Sequence, residues 1–289
     1  MGSLTAQAAG RPGDSKPTFM APQLNLDDST FDTNGFYRRT LHVLGDAQVP
    51  FLVGGSHAFL HYTGIVRETK DFDLFVRRGD LDRALSALAG AGYRTELTFP
   101  HWLAKAVYGD DFVDLVFNSG NGICAVDDEW FEHAVEADVL GLPVKLMPAE
   151  ELMWQKAYIM DRERFDGADV MHLLVAASEK LDWDRLARRF GDHWRLLLAH
   201  LVLFQFTYPS EAHRVPATAL QPLLERFQRE VPHAGSNGDG RTCYGTLLSR
   251  GQFLVDIGRW GFRDARLPPT GSMRGEDVAY WTWAIDNVR

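Results

Sequence analysis

The apolar residues of this chain change period once, near Pro148, and that change fixes most of what the chain can fold into. Before it, short apolar runs punctuated by glycine read as strands with a few helices between them. After it, apolar residues recur at helical spacing. The pattern predicts an α+β core over residues 31–148 and a helical C-terminal region over 149–289. Residues 1–30, rich in Gly, Pro, Ser, Ala and Asp without apolar periodicity, read as a disordered tail. A length of 289 residues lets two modest domains each bury a core.

In the core, a short helix from Asn34 to about Leu44 leads through Gly45 into an apolar strand at 49–53. Gly54-Gly55 ends that strand, and a helix follows from Ser56, which can cap it. A second strand at 71–76 and a helix at 80–89 come next, then strands at 93–99, 102–108 and 112–117, the last two joined by a Gly109-Asp110 hairpin turn. A short helix at 127–134 precedes strands at 135–140 and 142–147, paired across Gly141. The sheet is therefore mixed. Beyond Pro148, helices are expected at 149–160, 166–179, 183–190, 192–207, 216–230, 243–257 and 276–287, with loops at 234–240 and 267–275.

Composition excludes several classes. Apolar residues at 45% and charged residues at 24% suit a globular protein. No apolar run approaches the ~20 residues that cross a bilayer, and no basic segment followed by an apolar one opens the chain, so a cytoplasmic protein without a membrane partner is expected. Cys124 and Cys243 are too few for a disulfide scaffold or a cysteine-ligated zinc site and read as ordinary buried thiols.

Asp71 and Asp73, two apart in an extended segment, leave one face while Phe72 and Leu74 leave the other. Their repulsion is relieved by a cation, and oxygen ligands so placed suit Mg²⁺; an exposed strand end with two solvated acids is the alternative. Asp114 is a lone carboxylate among Phe112, Val113, Leu115, Val116 and Phe117. An ionised carboxylate buried without a partner costs several kcal/mol, so the position implies a metal, a cation or a strand end, a pairing with one of the arginines being the purely structural alternative. Gly54-Gly55-Ser56, at a strand-to-helix turn, lets backbone amides approach a phosphate, although the same residues also make an ordinary helix start. Arg67, Thr69 and Lys70 precede the acids as a basic run, either beside a triphosphate or solvated. Lys156 falls on the inward stripe of its helix with Leu152 and Met160, so it must snorkel to the edge or meet a buried anion, either a nucleotide phosphate or Asp166 and Asp169 at the start of the next helix. His57 and His61 read as packing or edge contacts, and Trp154, Trp183 and Trp194 as core.

Taken together, Gly54-Gly55-Ser56, Asp71-Phe72-Asp73-Leu-Phe and the later Asp114 resemble the minimal nucleotidyltransferase core of the polymerase-beta superfamily over roughly residues 35–180. Met147-Pro-Ala-Glu-Glu-Leu, Lys156-Ala and Arg164-Phe-Asp-Gly-Ala-Asp169-Val resemble the abortive-infection type of nucleotidyltransferase toxin and its relatives and, in outline, aminoglycoside adenylyltransferases. The resemblance implies a mixed sheet flanked by helices and an enzyme that moves a nucleoside monophosphate from a nucleoside triphosphate to an acceptor hydroxyl, releasing pyrophosphate. By the same resemblance Asp71, Asp73 and Asp114 are the catalytic and metal-binding acids, with Asp114 activating the acceptor or completing the metal site. Gly54, Gly55, Ser56, Lys70, Lys156 and Asp169 are the nucleotide-binding residues. Two magnesium ions, about 3.5–4 Å apart, would serve attacking and leaving oxygens. The acceptor is open between RNA or protein, as for a toxin with a cognate antitoxin, and a small molecule. The net charge of −9 slightly favours a small cationic acceptor. A nucleotide-binding module without turnover is the reading from another class.

Overall fold

A computed structural model describes residues 28–67, 71–230, 241–249, 251–267 and 273–286. The expected tail at 1–27, Lys70 and the loop at 234–240 lie outside the described residues. Helix α1 spans Asp28–Asp46, so it begins before Asn34 and takes in the last residues assigned to the tail. It is followed by β1 (Leu52–Val53), α2 (Gly55–Thr63), β2 (Asp73–Phe75) and α3 (Arg78–Gly90). Next come β3 (Arg94–Phe99), β4 (Leu103–Tyr108), β5 (Asp111–Val116), α4 (Asp128–Glu132), β6 (Val135–Val139) and β7 (Leu142–Leu146). The seven strands form one mixed sheet in the order β3-β4-β5-β2-β1-β7-β6, with β1–β7 and β2–β5 parallel and the other pairs antiparallel.

Two-residue periodicity sorts the strands onto two cores. Val53, Phe72, Leu74, Val76, Ala104, Ala106, Val113, Leu115 and Leu146 pack beneath α1 and α3. The alternate residues Leu52, Phe75, Leu103 and Val116, with Met147 just past β7, pack instead against α2 and the helices that follow. Those helices are α5 (Ala149–Ala157), α6 (Gly167–Ala177), α7 (Trp183–Phe190), α8 (Trp194–Thr207) and α9 (Ala217–Glu230). Trp154 and Trp194 are buried in this second core. The asymmetry places Asp71, Asp73 and Asp114, which share the phase of Phe75 and Val116, on the sheet face toward the helical half.

A cluster of buried ions fastens α5 to α7. Arg185 lies against Glu150 and donates to Glu151 Oε1 at 2.6 Å, and Arg189 donates to Glu151 Oε1 at 2.9 Å and to Asp127 Oδ2 at 2.6 Å. Asp182 caps α7 by accepting from the Arg185 backbone N–H at 2.9 Å.

The helix expected at 243–257 is broken. Its residues form β8 (Thr242–Cys243), a 3₁₀ turn at Tyr244–Leu247 and α10 (Leu254–Gly258), before β9 (Arg263–Asp264), which pairs with β8, and α11 (Gly275–Asp286). Gly245 sits beneath the Phe253 ring, where a Cβ would come within 2.2 Å of a ring carbon, so packing rather than helical propensity sets this segment. Among the described residues no helix is long and apolar enough to cross a membrane. Cys124 and Cys243 are free thiols; Cys124 is buried, which pushes its thiol up, whereas Cys243 is only part-buried.

Candidate active site

The first wall of the site is the β1–α2 turn. The Gly54 N–H donates to the Asp73 carbonyl at 3.0 Å, holding the turn against the start of β2. Gly55 has φ +53°, and a Cβ there would stand 1.9 Å from Asp73 Oδ2. Glycine is required twice over, for the left-handed backbone and for the approach of a carboxylate. At Gly54 a Cβ would meet the Phe75 ring at 2.1 Å and the Met147 sulfur at 2.7 Å. Ser56 lines the cleft but does not cap α2: the helix starts one residue earlier, the N-cap is Gly54, and no side chain caps it. Gly55→Ala is expected to lower nucleotidyl transfer by at least about 100-fold, the loss typical of a small displacement of catalytic groups. Gly64→Ala is the control, since Gly64 is also left-handed (φ +72°) but has open space where a Cβ would go. Equal turnover in the two variants would show that the contact with Asp73 is unimportant.

The second wall is the sheet. Asp73 pairs in register with Asp114 across β2–β5, and Asp114 with Lys105 across β5–β4. Burial, then the neighbouring Asp114 and Asp71 carboxylates, pushes Asp73 up to about 6, against the pull of Lys156 and Arg164. Burial also raises Asp114, with Lys105 opposing it and Asp71 adding to the rise. Lys105 Nζ donates to Asp114 Oδ1 at 2.7 Å. From the other face Tyr37 stacks on Phe72 at 4.4 Å, and its hydroxyl is pushed up to about 12 by burial and by Asp111, Asp71, Asp73 and Asp114.

The third wall is helical. Lys156 Nζ donates to Asp169 Oδ2 at 2.6 Å and to Asp166 Oδ2 at 3.1 Å, so the anion that its inward position requires is this pair. Arg164 grips Asp166 through Nε and Nη2, each at 3.0 Å, and Arg67 pairs with Asp169. The three walls enclose a cleft of about 720 Å³ lined by Gly55, Ser56, Arg67, Asp71, Asp73, Asp114, Lys156, Arg164, Asp166 and Asp169, among others. Of the candidate residues, Asp71, Asp73, Asp114, Gly55, Ser56, Lys156 and Asp169 meet there. Gly54 lies behind the turn, and Lys70 is outside the described residues.

The far end of the cleft is closed by parts that carry no motif. Phe99 and Trp102 stack at 5.4 Å beside the 118–121 loop. Thr246, Leu247, Leu248 and Ser249 complete the enclosure. Asn121 Nδ2 donates to the Leu247 carbonyl at 3.0 Å, the Met160 N–H donates to the Leu248 carbonyl at 3.3 Å, and the Ser249 hydroxyl donates to Asp161.

The donor chemistry suits an oxygen-ligated divalent cation at Asp71 and Asp73, two carboxylates on one cleft wall whose charge a cation would offset. Asp71, Asp73 and Asp114 line the same cleft, and Asp73 and Asp114 are partners across β2–β5. Among the described residues no group of three or more His, Cys, Asp or Glu side chains is placed to hold a metal ion, and Asp114 is engaged by Lys105.

Residues 33–191 match the model of the family described as nucleotidyl transferase of unknown function (DUF2204), and the chain belongs to that family. The protein is thus a nucleotidyltransferase, with the mixed sheet, flanking helices and helical C-terminal region of that fold. The antibiotic-resistance factor ANT(2″)-Ia is similar at 15% identity, covering 72% of this chain and 99% of its own, with a TM-score of 0.35. The lincosamide antibiotic adenylyltransferase LnuA is similar at 16% identity over 52% of this chain and 98% of its own, with a TM-score of 0.36. An antigenic nucleotidyltransferase-like protein from Paracoccidioides brasiliensis is similar at 14% identity over 65% and 91%, with a TM-score of 0.40. No curated protein matches the sequence. The Thr246–Ser249 wall lies outside the family match.

Proposed function

We propose that the protein transfers a nucleoside monophosphate from a nucleoside triphosphate to the hydroxyl of a small, cationic acceptor. The observation that carries this reading is the close approach of Gly55 to Asp73, which sets a glycine turn at a helix start directly against a carboxyl raised by burial and by its acidic neighbours. The amides at the start of α2 and the Ser56 hydroxyl face the triphosphate. Asp71 and Asp73 hold magnesium, which when bound neutralises charge developing on the phosphoryl oxygens. Asp114 takes the acceptor proton. The acceptor oxygen then bonds to the α-phosphorus, and the bond from that phosphorus to its bridging oxygen breaks, pyrophosphate leaving with the electron pair. Lys156, paired with Asp166 and Asp169, contacts the nucleotide.

The balance of charge in the cleft supports a small cationic acceptor. Among the described residues, six lining carboxylates, Asp71, Asp73, Asp114, Asp161, Asp166 and Asp169, face three lining cations, Arg67, Lys156 and Arg164, each already paired with an acid, while Lys105 reaches Asp114 from behind the cleft. A polyanion such as RNA would meet repulsion there. The toxin-like reading, with RNA or protein as acceptor and an antitoxin as partner, keeps the support of the Lys156 to Asp169 string. Incubation with each α-labelled nucleoside triphosphate and a total cell extract distinguishes them. Label is expected in the low-molecular-weight fraction. Label in RNA or protein, with growth arrest on expression, would favour the toxin; triphosphate binding with no label transferred would leave a module without turnover.

A further inference from the structure

The chain carries a cation of its own beside the catalytic acids. Lys105 stands opposite Asp114, and Asp114 opposite Asp73, so one row of three side chains crosses three adjacent strands. Neighbouring strands lie about 4.8 Å apart, which puts each member of the row within contact of the next. The ammonium is held from two directions, by Asp114 Oδ1 at 2.7 Å and by the Phe112 ring, whose centroid is 4.2 Å away. Both partners of the ion pair are largely shielded, with side-chain exposures of 30% for Lys105 and 14% for Asp114.

We propose that the Lys105 ammonium takes the place of a second divalent ion. The site then loads one divalent ion per chain, on Asp71 and Asp73, and leaves Asp114 for the acceptor hydroxyl. This rests on the nucleotidyl-transfer reading above, and it replaces the two ions that the family resemblance implies. An ion sharing the Asp114 oxygen would stand beside a fixed ammonium, and like charges that close repel far more strongly in a partly buried site than in water. Lys105 is accordingly a positioning residue: it acts on the acceptor through Asp114 and by keeping a cation away.

The test is Mn²⁺ stoichiometry on the full chain with α,β-methylene-ATP or α,β-methylene-GTP present, read from the electron paramagnetic resonance signal of free Mn²⁺ and corrected for the Mn²⁺ that the nucleotide binds without protein. Wild type and Lys105→Arg are expected to bind one ion per chain. Lys105→Met is expected to bind a second, at least tenfold more tightly than wild type does, and Lys105→Met/Asp114→Asn to return to one. Two ions on wild type, or one on a folded Lys105→Met, would overturn the proposal while leaving nucleotidyl transfer intact. No Mn²⁺ bound by wild type with either analogue would overturn the transfer reading as well.

Discussion

Asp73→Asn is expected to lower nucleotidyl transfer by at least about 10³-fold and, above pH 6, to make the protein more stable than wild type. The loss reflects the several kcal/mol of transition-state stabilisation lost with a divalent ion. The gain follows from the raised carboxyl. Asp73 titrates at about 6 in the folded chain against an ordinary value of 3.8, so between those values the native state binds the extra proton. Wild-type stability relative to the variant therefore falls as pH rises through this window, by on the order of 3 kcal/mol in full. Below about pH 4 the advantage of the variant disappears. Thermal melts of both proteins without divalent ions, from pH 4 to 8, check the sign. A variant less stable than wild type at pH 8 would show that the carboxylate is stabilised rather than held at a cost. The contrast is the trade between stability and function expected where like charges are gathered for chemistry.

Arg185→Leu is expected to destabilise the protein by about 3–5 kcal/mol, the cost of leaving buried carboxylates without their cation. Glu150 and Glu151 are 5% and 0% exposed and Arg185 is 3% exposed, so water cannot replace the guanidinium. Burial raises the Glu151 carboxyl even now, with Arg185 and Arg189 pulling the other way. For a chain of this size the loss corresponds to a drop in melting temperature on the order of 10 °C. The triple variant Glu150→Gln/Glu151→Leu/Arg185→Leu should recover most of it, since the ions together are worth little more than apolar packing. A single variant as stable as wild type would mean that α5 and α7 are held by their apolar contacts alone. Because α5 also carries Lys156, the same variant should weaken nucleotide affinity before the chain unfolds.

Much of the sheet side of the site was legible because strand periodicity is two. Asp71, Asp73 and Phe75 on one face, with Phe72, Leu74 and Val76 on the other, follow from alternation alone, and the structure divides them between two cores. The partner of Asp114 was within reach as well. Counting outward from the two-residue turn Gly109-Asp110 pairs Tyr108 with Asp111 and so Lys105 with Asp114. A lone carboxylate among apolar residues calls for a metal, a cation or a strand end, and the hairpin register selects the cation, Lys105, rather than an arginine. Serine favours the N-cap and so predicts a helix capped by Ser56, but the close approach of Asp73 requires glycine at the turn, and the helix starts one residue earlier. The far wall had no local signal. Tyr244–Leu247 makes its shape by packing Gly245 under Phe253 and by reaching distant loops, neither of which a periodicity reports.

That far wall also orders events during synthesis. Asn121 and Leu247, which meet across the cleft, are 126 residues apart in the chain. At translation rates of about 5–20 residues per second, the strands and α2 leave the ribosome several seconds or more before Leu247 does. A nascent chain can therefore assemble its carboxylates and glycine turn while one side of the cleft still stands open to solvent. Water would have free access to a triphosphate bound at that stage, and enclosure arrives only when the late segment docks.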